Sequence, residues 1–151
     1  MSKILPAIFI AIISLMSIPL SATNPADWET YFENDTVKIE YTYQNCEYLE
    51  QFNSEFVILR ITNNTTQDIT IEWQEQLWLD DNCINCELYN PEFRKEIKIS
   101  ANHTTSGDCK ISNNLRIFSK FTEKLEDMPG VNRIVALSKF ELKNLTITCN
   151  D

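Results

Sequence analysis

Glycine is nearly absent from this 151-residue chain: only Gly107 and Gly130 occur. Two glycines cannot build a phosphate-cradling loop, and they leave few tight glycine hairpins. Histidine is scarcer still. His103, the only one, lies in the polar stretch SANHTTSGDC with Ser100, Ser106 and Asp108. No Gly-x-Ser-x-Gly accompanies it, so it reads as a surface loop residue rather than the base of a triad. Positive charge is also short. Thirteen Lys and Arg stand against 22 Asp and Glu, for a net charge of −9. Nucleic-acid binders and proteins that dock on anionic lipid concentrate Lys and Arg, so the charge argues against both partners and serves solubility.

Long apolar runs are missing after residue 22. Before it, Lys3 opens an otherwise apolar stretch from Ile4 to Leu20, interrupted by Ser14 and Ser17, with Pro6 and Pro19 near its ends and Leu-Ser-Ala at 20–22. Charge, apolar core and small-residue exit are the order of a signal peptide cleaved after Ala22. The run is shorter than the roughly 20 apolar residues of a spanning helix, and its prolines break it. No cysteine stands at the cut for lipid attachment. The expectation is a signal peptide at 1–22 and a single domain at 23–151, carrying a charge of about −10. The product is exported, to a periplasmic, cell-surface or extracellular location, without membrane insertion after cleavage.

What is present is alternation. In TVKIEYTY, Val37, Ile39, Tyr41 and Tyr43 fall on one face of a half-buried strand. FVILRIT, 56–62, is continuous and β-branched, as a central strand is. After the polar turn NNTTQD, Ile69, Ile71 and Trp73 point inward, and that strand runs on toward Trp78. EIKIS (96–100) and LRIFSKF (115–121) are two further strands. Residues 133–149 form one long strand or a hairpin turning near Lys143-Asn144. Phe118, Phe121, Leu125 and Met128 have helical spacing, which predicts a short helix before Pro129-Gly130. With glycine so scarce, long loops at 44–55, 80–95 and 101–114 must connect the strands. These features predict an all-β sandwich of six to seven strands with Greek-key crossings.

The stretch VILRITNNTTQDITIEWQEQLWLD, 57–80, resembles the paired strands of immunoglobulin-like domains in exported proteins, with a tryptophan on the strand after the turn. The resemblance implies an immunoglobulin-like β-sandwich and transfers no catalytic residues. The chain departs from antibody-type domains because neither 56–62 nor 115–121 contains a cysteine, so the usual inter-sheet disulfide is absent.

Five cysteines, Cys46, Cys83, Cys86, Cys109 and Cys149, would meet oxidising conditions in an exported chain, and the odd number leaves one thiol over. If successive strands alternate direction, Cys46 shares one end of the sandwich with Cys83 and Cys86. Cys109 and Cys149 share the other, provided that 133–149 is one strand. The expectation is Cys46 bridged to Cys83 or Cys86, and Cys109 to Cys149. A redox reading of Cys83-x-x-Cys86 meets acidic flanks, Asp80, Asp81 and Glu87, which disfavour a thiolate, and no strand–helix setting surrounds the pair. A zinc site lacks a second spaced pair of ligands, and the acidic loop lacks EF-hand spacing. Neither a cofactor nor a metal is expected.

Glu72 and Glu75 could do acid–base work only inside a cleft. Sequons stand at Asn34, Asn63, Asn64, Asn102 and Asn144. Strand parity puts Trp73, Tyr41 and Tyr43 in the core, whereas Trp78 has the opposite parity to Leu77 and Leu79 and is the candidate interaction surface. The reading is a non-catalytic binding or interaction module whose partner is a protein or surface ligand, contacting through 76–90. The alternatives are a small redox or metal-binding protein using Cys83 and Cys86, or a structural subunit of an envelope assembly.

Overall fold

A computed structural model describes residues 27–48, 52–87, 90–110 and 113–150. The expected signal segment lies outside these residues. The described chain is all-β. In chain order its strands are β1 Glu29–Glu33, β2 Val37–Cys46, β3 Ser54–Asn63, β4 Asp68–Leu79, β5 Asn82–Cys83, β6 Arg94–Ile99, β7 Thr104–Ser106, β8 Arg116–Phe121 and β9 Leu137–Asn150. All pairings are antiparallel.

One sheet runs β1-β2-β3, with β7 and β8 end to end along the free side of β3. The other is built on β4, which pairs with β9 on one side and with β6 and β5 on the other. Val57, Leu59 and Ile61 of β3 share one core with Ile69, Ile71 and Trp73 of β4 and with Ile99. The apolar run at 56–62 is continuous because both of its faces are covered. Phe56 and Ile58 point away from that core into a second cluster with Cys46, packed against by Trp28, Tyr48, Cys109 and Phe118.

The described strands exceed the six or seven expected. The additions, β1, β5 and β7, have two to five residues each and are too short to show a period. The residues after β8 make a single 3-10 turn, Leu125–Asp127, and Phe118 and Phe121 of the helical pattern belong to β8. Residues 137–150 form one strand, not a hairpin. The Lys143-Asn144 turn signal is used instead as a bulge: β9 places Asn144 and Leu145 opposite Trp73, between the Glu72–Thr146 and Gln74–Lys143 pairs. Asn144 adopts φ of 54°, which asparagine tolerates better than most residues.

Gly107 has a specific task. It donates its N–H to the Leu59 carbonyl at 3.0 Å, and the Leu59 N–H donates to the Leu115 carbonyl at 2.9 Å. β7 and β8 are therefore two halves of one edge strand, which is interrupted after Gly107 and taken up again at Leu115. A Cβ on Gly107 would stand 2.4 Å from the Leu115 oxygen, so only glycine fits at this break.

Candidate functional site

The disulfides differ from the expected pairing. Cys46 is joined to Cys109, and Cys83 to Cys86. Cys149 is unpaired and exposed, so its expected bridge to Cys109 does not form. The end-to-end parity argument fails at Cys109 because that residue does not sit in a loop between two full strands. It follows the break in the edge strand after Gly107 and packs on the outward face of the first sheet, against the end of β2. Arg116 fixes it there, donating from Nη1 to the Cys109 carbonyl and to the Tyr48 hydroxyl, both at 3.1 Å. Cys83 and Cys86 belong to the other sheet and close on each other, with Cα atoms 5.8 Å apart.

This local bridge encloses a structural plug. Asp80 and Asp81, at φ of 46° and 66°, turn β4 into β5 through a two-residue hairpin of the type that needs two left-handed residues. β6 pairs with β4 only as far as Gln74, and β5 only from Trp78. Between them Ile84 donates its N–H to the Leu77 carbonyl at 3.0 Å. Asn85, 3 % exposed, takes the Leu77 N–H on Oδ1 and gives Nδ2 to the Glu75 carbonyl, both at 2.9 Å. The asparagine amide substitutes for the missing neighbour strand.

Glu75 lies on the inward face at this point, 5 % exposed, with Lys95 Nζ at 4.0 Å from Oε2. Burial pushes its carboxyl up to about 7, against the opposing Lys95 charge. Glu75 Oε1 and Trp73 Nε1 are the buried side-chain polar atoms left without a hydrogen bond among the described residues. Glu72 points the other way and pairs with Arg94 at 3.0 Å, so the two glutamates do not act on a shared space.

A cleft lies at the seam between the sheets, where β1 and β2 face β9. Tyr31, Tyr41, Tyr43, Phe140, Ser138 and Lys139 line a depression of about 230 Å3. The Tyr31 and Phe140 rings stack at 5.5 Å, and the Tyr31 hydroxyl accepts the Leu142 N–H at 2.8 Å, tying one sheet to the other. Tyr41 stands edge-on to Phe140 at 80° and to Tyr43 at 78°. Its hydroxyl donates to Glu29 Oε2 at 2.5 Å, and this bond holds the phenol up at about 12.

Strand parity placed Tyr43 in the core, yet it is 47 % exposed. The parity is correct and the cover is incomplete: Val37 and Ile39 are fully buried, Tyr41 partly so, and Tyr43 stands at the rim of the cleft that β9 borders. Trp78 is half-buried on the outward face of β4. Lys139, its partner across to β9, lays its ammonium 4.4 Å from the ring centroid. Lys139 thus joins Trp78 to the cleft, while Trp78 does not line it. Sequence reasoning missed Tyr31, Phe140 and Asn85. For Asn85 the available signal was its position inside a two-cysteine loop.

His103 is exposed in its loop. No group of three or more His, Cys, Asp or Glu side chains converges among the described residues. No protein-family model matches the chain, and no curated protein or solved structure does either.

Proposed function

We propose that the chain is an exported, non-catalytic binding module of immunoglobulin-like sandwich layout. In this reading the contact surface is the seam cleft of Tyr31, Tyr41, Tyr43 and Phe140, with the Trp78–Lys139 pair and the Cys83–Cys86 loop beside it. The expected contact segment, 76–90, becomes the flank of the site rather than its centre. The observation that carries the reading is Tyr43: an aromatic ring nearly half exposed, closing a hollow walled by three other rings on an otherwise acidic protein. Exposed aromatic clusters of this kind mark ligand or partner sites. Two disulfides support an oxidising, exported setting, and no described helix is long and apolar enough to cross a membrane.

The test is amide chemical-shift mapping with choline chloride, glucose and sodium acetate as probes. Saturable shifts at residues 31, 41, 43 and 138–140 with any one probe, lost in Tyr43→Ala, support the cleft. Shifts that are absent or scattered overturn it.

A second reading, a small exported redox protein, draws on one observation: Cys83 and Cys86 close on each other and Cys86 is exposed. The acidic flank and the lack of a helix start at the pair weigh against it. A reduction potential above about −230 mV would favour catalysis, and one below about −300 mV a structural staple.

A further inference from the structure

Building on the cleft reading above, we propose that the cleft binds a quaternary ammonium group. A sugar ring calls for a flat platform on which one face can lie. Here Tyr41 stands close to perpendicular to both Tyr43 and Phe140, so the rings form walls facing different directions. A compact, rounded cation can contact more than one such ring at once, and an exposed ring face attracts it through the ring quadrupole.

The charges at the rim have the matching sign. Glu29 accepts the Tyr41 hydroxyl proton in a hydrogen bond, which makes that ring richer in electrons. Glu29 and Glu55 are the charged neighbours of the Tyr43 phenol. The two cations that border the cleft are already engaged. Lys139, which lines the cleft, bonds Glu141 Oε1 at 2.6 Å and rests over Trp78. Lys143, near the Tyr31 hydroxyl, is paired with the same carboxylate. The net charge of −9 raises the local concentration of any cation further.

Three aromatic faces elsewhere carry the protein's own cations. Arg60 lies 4.1 Å from the Trp28 centroid, Arg116 lies 4.4 Å from that of Phe56, and Lys139 covers Trp78. Among the described residues no Lys or Arg lies over Tyr31, Tyr41, Tyr43 or Phe140. A hollow of about 230 Å3 has room for a trimethylammonium group and a short tail. Such a group is weakly hydrated and has no N–H to satisfy, which suits a cleft whose hydroxyls at Tyr31 and Tyr41 are already bonded.

The test titrates the secreted protein with choline and with its neutral isostere 3,3-dimethylbutan-1-ol, following the same amides and measuring heats. Choline is expected to bind about 5- to 30-fold more tightly than the isostere, the range of a cation–π contribution of about 1–2 kcal/mol. Tyr43→Ala is expected to weaken choline about tenfold with an unchanged melting temperature, since that side chain is exposed. Glu29→Gln should weaken it several-fold and flatten the salt dependence. Equal binding of choline and the isostere in the cleft overturns the cation inference and leaves the binding reading standing, as does a preference for glucose. Choline shifts that ignore Tyr43→Ala overturn it too, since an acidic surface alone then explains them. Silence from every probe removes both.

Discussion

Asn85 lies against Glu75 as a neighbouring strand would: its side-chain Nδ2 donates to the Glu75 backbone carbonyl at 2.9 Å. The Leu77 N–H bonds the same amide, so the edge of β4 is covered between the ends of β6 and β5. Truncating this side chain strands a buried carbonyl and a part-buried N–H together. Asn85→Ala should destabilise the fold by about 2–6 kcal/mol, at roughly 1–3 kcal/mol for each of the two unsatisfied groups. Urea unfolding measures it. A loss below about 0.5 kcal/mol would mean that water fills the gap freely and that the plug is dispensable.

The two bridges should separate by accessibility. Cys46 is 1 % exposed, whereas Cys86 is exposed. Graded dithiothreitol should open Cys83–Cys86 first, and alkylation without reduction should label Cys149 alone. Peptide mapping then reads the pairs directly. The Cys46–Cys109 bridge spans 63 residues and contributes about 4 kcal/mol by loop-closure entropy. Closing a ring of three-residue separation restrains far less chain, so the value of Cys83–Cys86 lies in posing Asn85. Recovery of Cys109 in a peptide with Cys149 would refute the assignment.

Several features of the fold were legible because they rest on strand period. Ile69, Ile71 and Trp73 occupy the expected face, and the apolar density of 56–62 marks the central strand. What could not be read depends on contacts distant in sequence. Tyr43 obeys its parity, but its exposure is decided by how much of it the opposite sheet covers. Cys109 was misplaced because three residues of β7 turn an apparent connecting loop into a break in an edge strand. The cleft draws Tyr31, Tyr41 and Tyr43 from β1 and β2 and Phe140 from β9, more than a hundred residues from Tyr31, and no local pattern announces such a meeting.

Asn63 illustrates how burial sorts identical motifs. Its Nδ2 donates to the carbonyls of Gln67, Ile99 and Ser100, and its Oδ1 accepts from the Thr65 N–H and hydroxyl. It is 1 % exposed, while Asn64 beside it is exposed. Secreted from a glycosylating eukaryotic host, the protein should carry sugar at Asn64 and none at Asn63, as glycopeptide mass spectrometry would report. Asn63→Ala should cost about 2–4 kcal/mol, because it orphans carbonyls that hold the β3–β4 and β6–β7 turns together. Glycan at Asn63 in folded protein would contradict the burial.

Glu75 makes stability depend on pH in an unusual direction. In the unfolded chain its carboxyl ionises near 4.5; in the fold it holds its proton to about 7. Between these values the unfolded state binds fewer protons, so stability from this group is full below pH 4.5 and falls as pH rises to about 7. The loss is at most about 3 kcal/mol, at 1.36 kcal/mol per pH unit. Glu40 works in a separate window. Arg60, bonded to it at 2.9 Å, holds its carboxyl below the ordinary value, so its contribution is present above pH 4.5 and is lost as pH falls further. Unfolding free energy should therefore peak in mildly acidic solution. Glu75→Gln should abolish the decline between pH 4.5 and 7 and be the more stable protein at pH 8, since a neutral amide replaces a buried charge whose nearest cation is 4.0 Å away. Chemical denaturation at several pH values measures the slope. The same decline in the variant would show that Glu75 ionises in the fold as it does in water.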